Sequence, residues 1–148
     1  RKGYHDLARE IAANHYAAVF EVWKNTGTFW EYYAPEKIEP GFMARKDFVG
    51  WTGLPPIAVF IEYILGVKSD YSEGRIVWDI EHTEAHGIER YPYGPDGVVG
   101  LKVKRRASAG ETPSVSVETN VPFDLTVTWG DGRSRTVRVE KSGRVKLN

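Results

Sequence analysis

Between Tyr4 and Lys24, apolar side chains return every three to four positions: Leu7, Ile11, Val19 and Val22, with His15 on the same stripe and Ala8, Ala12, Tyr16 and Trp23 flanking it. That period predicts an amphipathic helix. Asp6 stands near its start, where a negative charge suits the helix dipole. Asn25-Thr26-Gly27 supplies the stop, because Gly27 tolerates a left-handed backbone. The period then vanishes from Thr28 to Gly53, a stretch punctuated by Pro35, Pro40, Gly41, Gly50 and Gly53. Structureless loops beyond about 12–15 residues are uncommon in compact domains and are usually functional. A disordered linker does not carry Phe29, Trp30, Tyr32, Tyr33, Phe42, Phe48 and Trp51, so the loop is expected to be ordered and packed. Helical spacing resumes at Leu54-Pro55-Pro56, where two prolines fit a first turn, with Thr52 as candidate N-cap. Ile57, Phe60, Ile61, Ile64 and Leu65 share one face and Ala58 and Val59 stand beside it. Such a helix is expected to be buried on several sides and to end at Gly66.

After Asp70 the period falls to two. Arg75–Ile80, 99–104, 114–118 and Phe123–Trp129 alternate; the last runs into Gly130-Asp131-Gly132, a tight hairpin signal, and returns through 136–140. Ser142-Gly143 then turns into 145–147. Strands at this spacing predict an antiparallel sandwich or sheet. The expected class is therefore α+β, with a helical pair over 1–70 and an antiparallel β domain over 71–148. Neither helix can bury its apolar face on the other alone, so the helical part reads as the last pair of a larger helical domain. The chain opens on "RKGYHDLARE", already near a helical pattern and without Met. The expectation is a piece of a longer protein, which leaves its compartment open.

Composition narrows the partners. Lys+Arg and Asp+Glu are both 20 among 148 residues, so no net basic charge favours nucleic acid or an anionic membrane. The basic run Lys102-Val103-Lys104-Arg105-Arg106 reads as a solvated strand face. No run reaches the roughly 20 apolar residues of a membrane span. There is no cysteine, hence neither a disulfide nor a thiolate metal site. His82 and His86 are four apart, but on a strand that spacing sets them about 13 Å apart, and the stretch is not a zinc helix. No metal and no cofactor is expected.

The candidate chemistry lies in the aromatic loop. "GTFWEYYAPE" sets Glu31 among Phe29, Trp30, Tyr32 and Tyr33. A carboxylate serves as base, acid or nucleophile when its surroundings tune it, and flat rings stack on the apolar faces of a sugar. The residues alone slightly favour the plainer reading, a surface glutamate beside rings that plug the domain. Glu36 and Glu39 read as solvated, and Asp47 as a turn-stabilising residue.

"GTFWEYYAPE" followed by "DFVGWTGLPPIAVFIEYILG" resembles the C-terminal end of the catalytic (α/α)6 barrel in trehalase-like glycoside hydrolases, the inverting enzymes of families 37 and 63 and their mannosylglycerate-hydrolase-like relatives. The matching residues are Trp30-Glu31-Tyr32-Tyr33 and Phe48-Val49-Gly50-Trp51-Thr52, with Val49 inserted relative to the family's Phe-Gly-Trp-Thr/Ser element. The resemblance covers about 1–67, and "IEHTEAHGIERYPYGPDGVVGLKVKRR" is more loosely similar to a β domain that trails such barrels. It implies that Glu31 is the general base, that Trp30, Tyr32 and Trp51 line the sugar pocket, and that the substrate is an α-glycoside. Trehalose, glucosylglycerate, mannosylglycerate and glucose-capped oligosaccharides all fit. The family's general acid is an aspartate from an earlier barrel helix, and nothing in this chain matches it. The remainder of the barrel is then the chain's partner, and these residues alone are expected to be inactive. The alternative from a different class is a non-catalytic carbohydrate-binding or structural β module with a helical linker.

Overall fold

The computed structural model describes residues 3–50 and 52–147, and the chain divides into two compact units, Arg1–Ile64 and Leu65–Asn148. In the first unit, α1 runs from His5 to Thr26 with Asp6 in its first turn. Gly27 closes it at φ 73°, donating its amide to the Trp23 carbonyl at 2.7 Å, the left-handed cap that a residue with a Cβ resists. Thr26 tightens the same end by donating its hydroxyl to the Val22 carbonyl at 2.8 Å. Ala12, Val19 and Val22 form the buried stripe of α1.

The second helix differs from the expectation. α2 spans only Leu54–Val59 and widens at once into a π-helical turn over Phe60–Ile64. The Tyr16 ring stacks on Phe60 at 5.2 Å and holds this turn against α1. Burial on several sides is not reached: Pro56 is the only buried residue of α2, while Leu54 and Ile57 remain 66% and 55% exposed. Thr52 is not the N-cap either. Gly53 takes that position, without a side-chain cap bond.

The second unit is a sandwich of two four-stranded sheets. Its strands are β1 (Val67–Asp70), β2 (Arg75–Ile80), β3 (His86–Tyr93), β4 (Gly97–Val103), β5 (Val115–Thr119), β6 (Phe123–Trp129), β7 (Arg133–Val139) and β8 (Gly143–Val145). One sheet has the order β1-β2-β6-β7 and the other β3-β4-β5-β8. The alternation of β2 and β6 turns Ile76, Trp78, Ile80, Phe123, Leu125 and Val127 inward, where all are fully buried. Val99, Leu101, Val115 and Val117 meet them from the other sheet, and Tyr93 packs on Phe123 at 5.5 Å. The Trp78 indole N–H donates to the Leu65 carbonyl at 2.9 Å, so its burial strands no donor.

Pairing is not antiparallel throughout. β2 and β6 run parallel, from Arg75 beside Asp124 to Ile80 beside Trp129. The chain leaves β2 to build three strands of the opposite sheet and re-enters beside it in the same direction, an arrangement that no two-residue turn can make. The β6–β7 hairpin stands where Gly130-Asp131-Gly132 predicts it, with φ 55° and 81° at the two glycines.

Candidate functional site

The loop between α1 and α2 is an ordered, irregular hairpin. Two isolated bridges brace it, Trp30 with Lys46 and Tyr33 with Pro40. Around them the Glu31 amide donates to the Arg45 carbonyl at 3.0 Å, the Gly41 amide to Tyr32 at 3.0 Å and the Asp47 amide to Phe29 at 3.1 Å. Long loops need such partners, since backbone polar groups must be paired or hydrated.

Glu31 sits on one arm of this hairpin, half-buried. Its Oε2 accepts the Arg45 amide at 3.3 Å, while Oε1 accepts no hydrogen bond among the described residues. The Arg45 guanidinium turns away to lie over the Phe48 ring, 5.7 Å from its centroid. The carboxylate thus has one oxygen anchored to main chain and, among the described residues, one left for a water or a hydroxyl. That arrangement suits a group that takes a proton from a positioned water.

The neighbouring rings carry structural duties of their own. Trp30 is half-buried, its indole N–H donating to the Thr26 hydroxyl at 3.0 Å, and its amide N–H donates to the Tyr33 hydroxyl at 3.3 Å. Tyr32 lies across Gly41 and donates its hydroxyl to the Phe42 carbonyl at 2.7 Å, yet keeps 40% of its surface exposed. In both, the polar edge is bound within the loop, so what remains for a ligand is ring surface. Trp51, the third expected pocket residue, lies outside the described residues. Asp47 lies in a turn at φ 57°, and its carboxylate accepts the Thr28 side-chain hydroxyl at 2.5 Å from the other arm of the loop, not the local backbone bond expected of it. Glu36 and Glu39 are exposed, and Glu39 pairs with Lys37 at 3.7 Å across solvent.

Two residues were not legible as site-builders. The Thr52 hydroxyl reaches back to the Glu31 and Trp30 carbonyls at 2.5 and 3.1 Å. Arg106, read from sequence as part of a solvated strand, is 4% exposed. Its guanidinium donates to the carbonyls of Ile80, His82, Ala109 and Glu111 at 2.8–3.1 Å. Burial lowers its pKa, with the Glu111 and Glu81 charges acting in the opposite direction. Its two terminal nitrogens meet four neutral acceptors and tie loops together, while its buried Nε has no partner among the described residues.

The histidine pair also departs from its sequence geometry. Residues 81–85 are loop, and the His82 and His86 rings come within 5.8 Å, centroid to centroid. No group of three His, Cys, Asp or Glu gathers there or elsewhere among the described residues. A cavity of about 450 Å³ beside β8 is lined by Ser114, Arg144 and Lys146 among others, with no aromatic side chain. It therefore lacks the stacking surface on which sugar sites are built. No helix among the described residues is long and apolar enough to cross a membrane. No family model, no curated protein and no solved structure matches the chain.

Proposed function

We propose that this chain supplies the general base and part of the sugar pocket of an inverting, trehalase-like α-glycoside hydrolase. The observation that carries the reading is the Glu31 carboxylate: half-buried, one oxygen held by the Arg45 amide, the other without a hydrogen bond among the described residues, on a braced hairpin between Trp30 and Tyr32. Glu31 removes a proton from a water, and that water attacks the anomeric carbon. An acid from the rest of the barrel protonates the departing oxygen, with the two carboxyls about 6.5–9.5 Å apart to admit the water. Trp30, Tyr32 and Trp51 offer ring surface to the pyranose.

In this reading α1, α2 and the π turn are the last helices of an (α/α)6 barrel, and the β unit is a trailing domain. The bare apolar side of the helical unit supports it. Leu7 and Ile11 of α1 are 53% and 60% exposed, a surface that wants further helices over it. The remainder of the barrel is the proposed partner, and the α-glycoside the proposed substrate.

The test is hydrolysis by the full-length enzyme carrying Glu31→Gln, assayed over a panel of α-glycosides. Loss of the base lowers kcat by roughly 10²–10⁴-fold or more while the protein stays folded. Near-normal turnover of every accepted substrate overturns the assignment.

A further inference from the structure

Thr52 stands two residues ahead of α2, and its hydroxyl reaches across 21 residues of chain to the Glu31 carbonyl, at 2.5 Å, with the Trp30 carbonyl at 3.1 Å. It is half-buried and caps no helix, for Gly53 is the N-cap of α2 and no side chain bonds there. A single hydroxyl proton serves both carbonyls, and the shorter contact is to Glu31. On its other side Glu31 is held by Arg45, which accepts its amide at 3.0 Å and donates to Oε2 at 3.3 Å. Amide, carbonyl and one carboxylate oxygen of Glu31 are therefore all gripped, by the chain at Arg45 and at Thr52. Only Oε1 accepts no hydrogen bond among the described residues.

We propose that Thr52 is the positioning residue for Glu31: its hydroxyl, donated to the Glu31 carbonyl, fixes the main chain from which the carboxylate reaches its water. This rests on the reading of Glu31 as general base. Thr52 touches neither water nor sugar and acts only through Glu31. The arrangement also couples the base to the start of α2, so the catalytic hairpin and the last helix are set by one hydrogen bond. Valine keeps the branched shape but cannot donate, whereas serine keeps the donor.

The experiment compares Thr52→Val and Thr52→Ser in the full-length enzyme, alone and combined with Glu31→Gln. Thr52→Val lowers kcat by about 10- to 100-fold, the scale set by misplacing a reacting group by about 1 Å. KM changes by less than about twofold, because ground-state binding is untouched. Thr52→Ser recovers most of the loss. In the Glu31→Gln background Thr52→Val costs nothing further, since the residue it acts through is already disabled. Circular dichroism checks the fold of each variant, and Thr52→Ala takes the place of valine in the same cycle if the valine protein does not fold. Equal losses in both backgrounds, or unchanged kcat in Thr52→Val while Glu31→Gln is inactive, overturn the positioning role. Full activity of Glu31→Gln overturns the base assignment itself, and the two failures are thereby separated.

Discussion

Tyr93 and Arg106 are both buried in the β unit, and their polar atoms fare differently. Arg106 gives its two terminal nitrogens to four carbonyls and leaves only Nε without a partner among the described residues. The Tyr93 hydroxyl has no hydrogen-bond partner among the described residues, and its ring is wedged between Tyr71, at 5.4 Å, and Phe123. Burial raises the Tyr93 pKa, and the negative charge of Asp70 adds to it. The folded protein therefore binds this proton more tightly than the unfolded chain. The stability it contributes is fully present below the unfolded phenol's value, about 10, and is lost as pH climbs from there through the raised folded value. Tyr93→Phe should make the alkaline fall in stability shallower by up to one proton. At neutral pH it should cost little or stabilise, because a buried hydroxyl without a partner is removed. Urea unfolding from about pH 8 to about pH 11 measures both, and parallel pH profiles for the two proteins would refute the idea. Asp70 and Glu89 show the opposite sign. The Ser72 hydroxyl lowers the first and Lys102 the second, so both favour folding above the ordinary carboxylate range and lose that contribution in acid. Both are exposed to solvent, which screens the effect.

The hairpin that carries Glu31 is where local sequence and tertiary structure meet most closely. A Cβ at Gly41 would run into the Tyr32 ring, whose hydroxyl holds the Phe42 carbonyl at 2.7 Å. Gly41→Ala must push that ring aside, at a cost of about 1–3 kcal/mol for overpacking. The same alanine should cost less in a Tyr32→Ala background, where the collision is gone. Thermal unfolding of the four proteins closes the cycle, and equal costs in the two backgrounds would sink the explanation. Ring density and the turn residues Pro40 and Gly41 made this element legible as an ordered loop. β2, β6 and the β6–β7 turn were legible too, because alternation and Gly-Asp-Gly are local signals. β1 was not: Val67–Asp70 has a single buried side chain, too few for a period to register. β3 was hidden by Pro92 and by the register shift between Ile88 and Tyr91, where Arg90 takes φ 55° and breaks the alternation. The parallel β2–β6 pair and the span from Thr52 to Glu31 are long-range, and no neighbouring residue announces them. Arg106 escaped for the same reason, since its four carbonyls come from two separate stretches of chain, 80–82 and 109–111.

At the scale of the whole chain, the two units differ in how completely they close. The β unit buries large side chains from both sheets, Trp78, Phe123, Leu101 and Leu125 among them. The helical unit has a thin buried stripe on α1 and leaves Tyr4, Leu7 and Ile11 in solvent along its length. An isolated helix is marginal in water, and α1 draws little from tertiary burial. The helical unit of these 148 residues should therefore open at lower free energy than the sandwich. Amide exchange under native conditions and rising urea resolves this residue by residue. Amides of Val19 and Val22 should exchange through openings that need less urea than those of Leu125 and Val127. Exchange of all four through one shared opening would overturn the ranking. The same measurement bears on chemistry. Glu31 and Thr52 are pinned to each other by the hairpin and the start of α2, so an unfolding helical unit also dissolves the site. Adding the rest of the proposed barrel should then raise the protection of Val19 and Val22 toward that of the sandwich, and with it the order of the Glu31 carboxylate. If protection of α1 stays at its isolated level in the proposed full-length enzyme, the exposed Leu7–Ile11 face is not where the helices of the proposed barrel bind.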